Sequence, residues 1–407
     1  MKKLLQINTV VNSGSTGHIA EEVGQLAAER GWESYIAYGR NDRHSRLSKI
    51  KIGNKLSVYL HVIKTRLFDR HGFGSTKATK KFIKQIELIK PDIIHLHNIH
   101  GYYINIELLF NYLADSNIPI VWTLHDCWSF TGHCAHFEYV KCNKWKQSCY
   151  CCPQKKIYPA SFFIDNSKRN HADKKALFTS VSNLTIIPVS QWLNDVIGNS
   201  FLSKYNREII VNGIDTTIFK IQDTLSIRQQ LSIQETDFVA IGVASTWNER
   251  KGLSDFIELA KWVDAHTKII LIGLSKKQQK SLPPNIIDIN RTENQKELAA
   301  YYSASDVVLN LSYEESFGKT TVEGFACGTP SIVYDCTASP DLVTEETGFV
   351  VKEKDFQGIM DSMNEIKKKG KSHYSSSCRK RAIDLYNKDT QYNLYIDLYE
   401  KLLSTNS

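Results

Sequence analysis

The sequence predicts an α/β protein of two domains, and three observations lead to this prediction. The chain has 407 residues, which is the length of two or three typical domains. Short β-branched apolar runs alternate with longer helical patterns from one end to the other, as in chains that form parallel sheets. Many of these runs are apolar on both faces, which is typical of strands that helices cover on both sides.

The strand candidates follow one another along the whole chain. They read LLQINTVV, SYIAYG, DIIHLH, IPIVWTLH, LTIIPVS, EIIVNGI, FVAIGVAS, KIILIGL, DVVLNLS and PSIVYD. The series restarts after VNGIDTTIF with a fresh strand–turn–helix unit, so we place a domain boundary near residue 211. We expect residues 1–211 and 212–385 to form two doubly wound, Rossmann-like domains that face one another across a cleft. Residues 386–407 are expected to form a helix that returns to the first domain.

Composition excludes several classes of protein. With 42% hydrophobic and 23% charged residues the chain is ordinary globular material, which excludes disorder and collagen-like repeats. The longest apolar stretches fall short of the roughly 18–20 residues of a membrane-spanning helix. Gln6 and Asn8 interrupt the apolar N-terminus before it could serve as a signal peptide. The nine cysteines are an odd number, which argues against a disulfide framework. We therefore expect a soluble, cytoplasmic protein.

The positive charge is concentrated in one segment. Residues 43–90 contain thirteen Lys and Arg against Asp69 and Glu87, a local net charge of +11 that exceeds the +8 of the whole chain. The central stretch KLSVYLHVIKTRLFDRHGF interleaves apolar and cationic residues. We expect it to attach peripherally to an anionic membrane surface, with apolar side chains among the headgroups. The alternatives are a solvated lysine-rich surface, or apolar residues that pack onto the sheet while only the cations face outward.

The segment LNLSYEESFGKTTVEGFACGTPSIVYD carries the most specific pattern. We predict a strand, a turn and a helix in it, followed by another strand. Glu315 in the turn and Glu323 in the helix have seven residues between them, so both carboxylates can face one cleft at different depths. The backbone N–H groups around Phe317, Gly318 and Lys319 would form a helix N-terminus that suits a phosphate or sugar oxygen.

This segment resembles the nucleotide-sugar-dependent retaining glycosyltransferases of family four, which have the GT-B fold. Their hallmark is a pair of glutamates separated by seven residues, followed by a small-residue helix that ends in Gly-x-Pro. The matching positions are Glu315, Glu323, Gly328 and Pro330 for this hallmark, Asn212, Gly213, Ile214, Asp215 and Phe219 for an upstream motif, and Arg250, Lys251 and Gly252 for a basic turn.

The resemblance implies roles for several of these residues. Glu323 would hold the ribose hydroxyls of the donor, and Glu315 would hold the hydroxyls of its sugar. Lys251 would neutralise the diphosphate, on which charge develops as the glycosidic bond breaks. The family commonly has an arginine five residues before this lysine, where this chain has Thr246, so Arg250 is the expected substitute.

The N-terminal half and one later loop add three further candidates to the donor site. Gly14, Ser15 and Gly17 in NSGSTGHIA would form a turn before a helix, where the family has a glycine-rich loop near the donor phosphates. His125 lies at the end of the strand IPIVWTLH, where the family frequently has a histidine close to the donor sugar and phosphate. Arg291, on the loop after DIIDIN, would border the nucleotide base.

Six of the nine cysteines lie in residues 127–152, which we interpret as an insertion in the first domain. Cys134, Cys142, Cys149 and Cys152 are separated by seven, six and two residues, and the last two form a Cys-x-x-Cys pair. Four thiolates at such spacings favour a structural zinc site, and a subset of bacterial polysaccharide transferases carries a similar insertion. Free thiols and disulfides are the alternatives.

Several histidines could also act as ligands. His133 and His136 are alternate ligands for the expected zinc ion. His95, His97 and His100 in IIHLHNIHG look like metal ligands, because His95 and His97 share a strand face. Similar transferases have histidines in this place without a metal, so we favour strand-end packing and substrate contact.

The resemblance implies transfer of a hexose-type sugar, with retention, from a UDP- or GDP-sugar to a lipid-diphosphate-linked acceptor of a bacterial surface polysaccharide. The usual proposal for such enzymes is that the leaving phosphate helps to deprotonate the acceptor hydroxyl. The chain lacks an Asp-x-Asp motif, so we expect no catalytic divalent metal. The alternatives are another GT-B enzyme, such as an epimerase or phosphorylase, and a basic zinc-containing protein that binds nucleic acid. We expect no nucleic-acid partner, because the latter alternative leaves the glutamate pair unexplained.

Overall fold

The strands and helices of this chain, in a computed structural model that describes residues 1–280 and 282–405, form two units. Unit 1 comprises Met1–Val211 and the chain from Tyr392 onward, and unit 2 comprises Asn212–Gln391. Within the described ranges, each unit has one sheet in which every pair of neighbouring strands is parallel. The predicted class, an α/β protein with two parallel sheets, is confirmed.

The strands of unit 1 pair in an order that reverses direction in the middle of the sheet. They are β1 (Lys3–Asn8), β2 (Glu33–Tyr38), β3 (Ser48–Lys51), β4 (Ile93–Leu96), β5 (Ile120–Leu124), β6 (Leu184–Pro188) and β7 (Asn206–Arg207). The helices are α1 (Gly14–Glu29), α2 (Lys55–Phe68), α3 (Thr76–Ile89), α4 (Ile106–Asp115), α5 (Ser167–Phe178) and α6 (Gln191–Gly198). The sheet order β3-β2-β1-β4-β5-β6-β7 puts β1 and β4 side by side at the point of reversal. Ligands of such sheets bind outside the carboxyl ends of the strands at this point.

Unit 2 repeats the same arrangement with one strand fewer among its described residues. The strands are β8 (Phe238–Val243), β9 (Thr267–Ile272), β10 (Ile286–Ile289), β11 (Val307–Asn310), β12 (Ser331–Tyr334) and β13 (Gly348–Val351). The helices are α7 (Leu225–Gln230), α8 (Leu253–Leu259), α9 (Lys276–Gln279), α10 (Gln295–Ala304), α11 (Lys319–Ala326), α12 (Phe356–Lys369) and α13 (Lys371–Tyr386). The last helix, α14 (Lys388–Thr405), begins in unit 2 and belongs to unit 1 from Tyr392 onward. The order β10-β9-β8-β11-β12-β13 makes β8 and β11 the central neighbours.

The sheet of unit 1 is buried under helices, which explains its continuous apolar strands. Every residue of β4 and β5 is buried. The end of α14, which belongs to unit 1, packs Tyr395 and Tyr399 into the same core as Leu4. The Tyr399 hydroxyl lies 2.6 Å from Nδ1 of His95, so aromatic residues of α14 both fill the core and satisfy its polar groups.

The cysteine-rich segment after β5 has little regular secondary structure. It contains two short 3₁₀ turns, Trp128–Phe130 and Lys144–Lys146. A small aromatic cluster packs within it, in which the ring of Trp145 lies 5.3 Å from that of Phe130 and 4.8 Å from that of Phe137. Among the residues that the structure describes, no helix is both long and apolar enough to cross a membrane.

Candidate functional site

Lys251 lies after β8 in a 3₁₀ turn, Glu249–Lys251, whose geometry the local sequence dictates. The Asn248 side chain caps the turn by accepting the Lys251 N–H at 3.1 Å. Gly252 then has a φ of +73°, and a Cβ at this position would lie 2.1 Å from the Leu311 carbonyl oxygen. Only glycine therefore allows this turn to approach the end of the neighbouring strand β11.

Glu315 lies on the loop after β11, and its carboxylate accepts a hydrogen bond from the Lys251 ammonium. The backbone N–H of Glu315 donates to the Thr337 hydroxyl at 2.9 Å, which fixes the loop. Burial alone would raise the pKa of Glu315, but the charges of Lys251 and Arg250 hold it below its ordinary value. The structure thus brings two predicted site residues together as an ionised pair at the centre of the sheet.

Arg250 contacts the same loop in a different way. Its guanidinium donates to the Glu314 carbonyl oxygen at 2.7 Å, and its own carbonyl oxygen accepts the Tyr313 N–H at 2.9 Å. Arg250 therefore braces the loop that carries Glu315. Its expected contact with the donor diphosphate stays a prediction.

Glu323 is a buried carboxylate on α11. The Tyr302 hydroxyl donates to its Oε2 at 3.2 Å, and the Lys319 ammonium lies 3.8 Å from its Oε1. Burial raises the pKa of Glu323, and Lys319 and Tyr302 offset only part of this rise. A partly satisfied, buried carboxylate is well suited to accept hydrogen bonds from a pair of neighbouring hydroxyls.

The N-terminus of α11 lies where the sequence predicts it. Gly318 is the N-cap residue with a φ of +96°, and Lys319 is the first residue of the helix. The Phe317 side chain is buried and packs edge-on against Tyr386 at 5.8 Å. Phe317 thus anchors the loop through its ring, and a role for its backbone N–H toward a ligand stays a prediction. Arg291 is exposed on the loop after β10 and also stays a prediction.

The glycine-rich segment of unit 1 differs from the prediction. The expected turn is absent from Ser15 and Gly17, because α1 already begins at Gly14 and both residues lie in its first turn. Ser13 occupies the N-cap position in an extended conformation, without a side-chain hydrogen bond to the helix, so the helix begins earlier than the glycine content suggests. Gly17 serves packing instead, since a Cβ there would lie 2.9 Å from Cγ2 of Val10.

His125 lies at the carboxyl end of β5 in a cluster of polar side chains. Its Nε2 is 3.3 Å from Nδ1 of His97, and the two rings are stacked. Burial lowers the pKa of His125 to about 4, so the ring is neutral at pH 7. The next residue, Asp126, pairs with His100 at the end of β4. A further member of the cluster, Tyr158, lies far along the chain and contacts His100, and no sequence pattern indicates this contact.

His95 and His97 are packed, hydrogen-bonded residues of unit 1. Nε2 of His95 lies 2.8 Å from the Thr123 hydroxyl, and its Nδ1 contacts Tyr399. Nε2 of His97 lies 3.0 Å from Oε1 of Gln6. Because protein partners engage both ring nitrogens of each histidine, their geometry favours packing over metal binding.

The four cysteines of the expected zinc site line one small cavity. Its lining includes Cys134, Cys142, Cys149, Cys152 and His133. Within residues 1–280 and 282–405, however, no group of three or more His, Cys, Asp or Glu side chains is placed to hold a metal ion. Nδ1 of His133 lies 2.5 Å from Asp69, and burial raises the pKa of Cys149 to about 11, which keeps this thiol protonated. The structure contains free cysteines, and it does not support the zinc expectation.

Two family models together match most of the chain. The model described as Glycosyltransferase Family 4 matches residues 13–218, and the model described as Glycosyl transferases group 1 matches residues 223–384.

Relatives and solved structures of the same kind match over nearly the full length. One relative, from Escherichia coli K12, is named as a colanic acid biosynthesis glycosyl transferase (WcaC); it is 24% identical over 98% of this chain and 100% of its own length. The N-acetyl-alpha-D-glucosaminyl L-malate synthase of Bacillus anthracis is 22% identical over 94% of this chain and 92% of its own length. Among solved structures, sucrose-phosphate synthase from Thermosynechococcus elongatus has a TM-score of 0.73 at 16% identity, with both chains covered completely. Anabaena HepE in complex with UDP-glucose has a TM-score of 0.70 at 15% identity, over 98% of this chain and 100% of that one. The chain therefore belongs to glycosyltransferase family 4 and has the GT-B fold.

Proposed function

We propose that this glycosyltransferase retains the anomeric configuration and moves a hexose-type sugar from a UDP- or GDP-sugar to a lipid-diphosphate-linked acceptor. The product would be part of a bacterial surface polysaccharide. Family membership supports the reaction class, the name of the Escherichia coli relative supports the polysaccharide, and HepE with bound UDP-glucose supports the donor class. The observation that carries the proposal is the ion pair of Lys251 and Glu315.

This pair supports donor binding because it joins the loops after the two central strands of unit 2, β8 and β11. Lys251 would place a fixed cation beside the diphosphate, where negative charge develops as the sugar leaves. Glu315 would accept hydrogen bonds from the sugar hydroxyls. The two side chains hold each other in place before the donor arrives, which reduces the cost of ordering them on binding.

Glu323 would bind the ribose of the donor. Its burial makes an unsatisfied carboxylate costly, and two hydroxyl donors of a ribose would supply the missing hydrogen bonds. Lys319 precedes Glu323 by one turn on α11, toward the N-terminus of the helix. Its ammonium would partly neutralise the charge of the Glu323 carboxylate.

Attachment to an anionic membrane would bring the enzyme to its lipid-linked acceptor. The buried side chains of α2 are His61 and Thr65, whereas Leu56, Tyr59 and Leu60 are between 56% and 63% exposed. These three apolar residues therefore face outward with the cations, which favours shallow insertion over packing onto the sheet.

A second apolar segment extends this surface. Phe162 and Phe163 are 60% and 71% exposed, and the Phe162 N–H donates to the Arg66 carbonyl oxygen of α2 at 2.9 Å. The Arg66 guanidinium lies 5.2 Å from the centre of the Phe162 ring. We call these residues, together with the exposed residues of α2, the apolar-basic surface; aromatic and cationic groups so arranged suit an anionic lipid interface.

Glu323→Gln tests the proposed donor site. We expect UDP-glucose or GDP-mannose to raise the Tm of the wild-type protein, and we expect at least tenfold weaker binding of the same nucleotide sugar by the variant. The native pKa of Glu323 is raised, so its ionisation costs stability as pH rises above the ordinary carboxyl range. The variant should thus be as stable as the wild type at pH 7 or more so, which separates lost binding from unfolding.

Glu345→Ala, at an exposed glutamate of the same unit, is the matched control and should bind the donor normally. Wild-type affinity in Glu323→Gln would remove Glu323 from the donor site. If a panel of UDP- and GDP-sugars leaves the wild-type Tm unchanged, the proposed donor class is wrong.

A further inference from the structure

Two buried polar groups in unit 1 lack a hydrogen-bond partner. They are the Tyr102 hydroxyl and Nδ1 of His71, and neither has a partner within the part of the chain that the structure describes. The two rings lie side by side, with their centres 4.6 Å apart, and the residues are only 5% and 3% exposed. A buried polar group without a partner destabilises the fold, so two of them in contact indicate that a ligand supplies the missing hydrogen bonds.

The surroundings of His71 make its unpartnered nitrogen a donor. Burial lowers the pKa of His71, so the ring is neutral at pH 7. Its Nε2 accepts the Gly101 N–H at 3.2 Å, so the proton of the neutral ring lies on Nδ1. The Tyr102 hydroxyl can donate as well. Two adjacent donors without acceptors fit a ligand group that is rich in acceptor oxygens, such as a phosphate.

Two arginines add positive charge around the Tyr102 side chain. The guanidinium carbon of Arg40 lies 5.9 Å from the centre of the Tyr102 ring. Burial raises the pKa of Tyr102, and the charges of Arg66 and Arg40 oppose this rise. Across residues 1–280 and 282–405, neither arginine is paired with a carboxylate. Since a guanidinium binds phosphate oxygens through paired N–H groups, both side chains are suited to an anionic ligand.

The loops that carry Arg40 and Tyr102 are joined at the carboxyl ends of the central strands of unit 1. The Arg40 N–H, just after β2, donates to the Thr9 carbonyl oxygen at 3.0 Å. The Thr9 hydroxyl, just after β1, lies 2.9 Å from the Asn98 carbonyl oxygen on the loop after β4. Tyr102, on this same loop, has a φ of +71°, which a non-glycine residue keeps only where its surroundings impose it. The donors therefore lie at the sheet edge where ligands of such folds bind.

A ligand would reach the Tyr102 hydroxyl past two exposed side chains. The Tyr158 ring lies edge-on to the Tyr102 ring at 6.0 Å, and both Tyr158 and Arg40 are exposed. Rotation of Tyr158 breaks its contact with His100 and leaves the core of unit 1 packed. The buried donors thus become accessible without a change in the fold.

Arg66 connects these donors to the apolar-basic surface. It lies on α2, and its guanidinium both donates to the Ala160 carbonyl oxygen at 3.0 Å and lies against the exposed Phe162 ring. An anion bound between Arg40 and Arg66 would therefore lie beside the surface that we propose to contact lipid. A lipid diphosphate has both parts that this arrangement requires, a charged group for the donors and an apolar chain for the membrane.

We propose that four side chains of unit 1 bind the diphosphate of the lipid-linked acceptor: Arg40, Arg66, His71 and Tyr102. This inference rests on the proposed function, because it assigns the binding site of the acceptor named there. The two arginines supply the positive charge, and the two buried donors bind phosphate oxygens from the inner side. The lipid chain extends along the apolar-basic surface into the membrane.

Tyr102→Phe tests this site in the full-length protein, with geranyl diphosphate as a soluble lipid diphosphate. Isothermal titration calorimetry should show that the wild type binds this probe at least threefold more tightly than geranyl monophosphate. The variant should bind it about tenfold more weakly, since one hydrogen bond to a charged group is lost. Its Tm without ligand should be equal to that of the wild type or higher, because the lost hydroxyl has no partner there. Weaker binding at undiminished stability separates a role in binding from a role in folding.

Arg40→Gln tests the charged part of the site and should weaken binding of geranyl diphosphate at least tenfold. The matched control is Arg43→Gln, at an exposed arginine of the same loop, which should keep the wild-type affinity within twofold. Saturating UDP or GDP should leave the affinity for geranyl diphosphate unchanged, because we propose that the nucleotide binds to unit 2.

Four outcomes would overturn the proposal. They are no binding of geranyl diphosphate to the wild type, equal affinity for geraniol, affinities within twofold of wild type in both Tyr102→Phe and Arg40→Gln, and displacement of the probe by UDP or GDP. If nucleotide sugars do not bind while geranyl diphosphate binds and depends on Arg40, the proposed donor class is wrong and the diphosphate site is supported.

Discussion

Replacing Lys251 with alanine removes the cation that contacts Glu315, and we expect kcat to fall about ten- to a hundredfold. Charge-assisted hydrogen bonds contribute roughly 1.5–3 kcal/mol each, and about 1.4 kcal/mol corresponds to a factor of ten in rate. Lys251 and Glu315 have side-chain exposures of 22% and 15%, so solvent screens their interaction only in part. The lower end of the range therefore applies if one hydrogen bond to the diphosphate is lost, and the upper end if the Glu315 carboxylate also moves.

The same substitution should change stability in a pH-dependent way. Glu315 has a lowered pKa in the folded protein, so its ion pair stabilises the fold above the ordinary carboxyl pKa and loses this effect as the pH falls through the native value. The free energy of unfolding of Lys251→Ala should thus be lower than that of the wild type at pH 7. The difference should shrink as the pH falls through the native pKa of Glu315, which lies below the ordinary carboxyl value, because Glu315 is then protonated in both proteins.

The assay is release of nucleoside diphosphate under saturating donor, together with urea unfolding at pH 7 and at a series of pH values that continues below the ordinary carboxyl pKa. Lys261→Ala is the matched control, because Lys261 pairs with Glu258 in unit 2 and both side chains are exposed. The control should stay within twofold of the wild-type rate. A Lys251→Ala rate within twofold of wild type would show that another group, such as Arg250, neutralises the diphosphate.

Two further predictions concern unit 1. The double variant Leu60→Ser and Phe163→Ser should sediment less with anionic vesicles than the wild type does. The control variant Leu385→Ser, in unit 2, should sediment like the wild type. Equal binding of the wild-type protein to neutral and anionic vesicles would contradict membrane attachment. Iodoacetamide at pH 7.5 should alkylate Cys152 before Cys149. A hydrogen bond from the Cys134 thiol lowers the pKa of Cys152 to about 7, whereas burial raises the pKa of Cys149 to about 11. Stoichiometric zinc with all four thiols protected would refute the free-thiol arrangement.

The sequence by itself determined the fold class, because the signals for it are local. Apolar strands such as β4 and β5 are fully buried, and their continuous apolar runs already predict a parallel sheet between helices. The pair Glu315 and Glu323 could also be placed on a turn and a helix, since the glycine at position 318 and the following apolar pattern mark the start of α11. Each of these conclusions depends on residues within one or two turns of each other.

Tertiary structure alone decided which side chains meet. The contact of Tyr158 with His100 spans 58 positions, and no period or spacing in the chain indicates it. The composition of α2 is compatible with a helix that packs its apolar residues into the core. Only the tertiary structure shows that His61 and Thr65 are its buried side chains and that its apolar residues face outward. Arg250 resembles a free cation in the sequence, yet the fold provides it with a carbonyl acceptor on the loop after β11. A sequence pattern indicates which residues of a segment are buried and which are exposed. The residues that they contact depend on how segments distant in the sequence pack against each other.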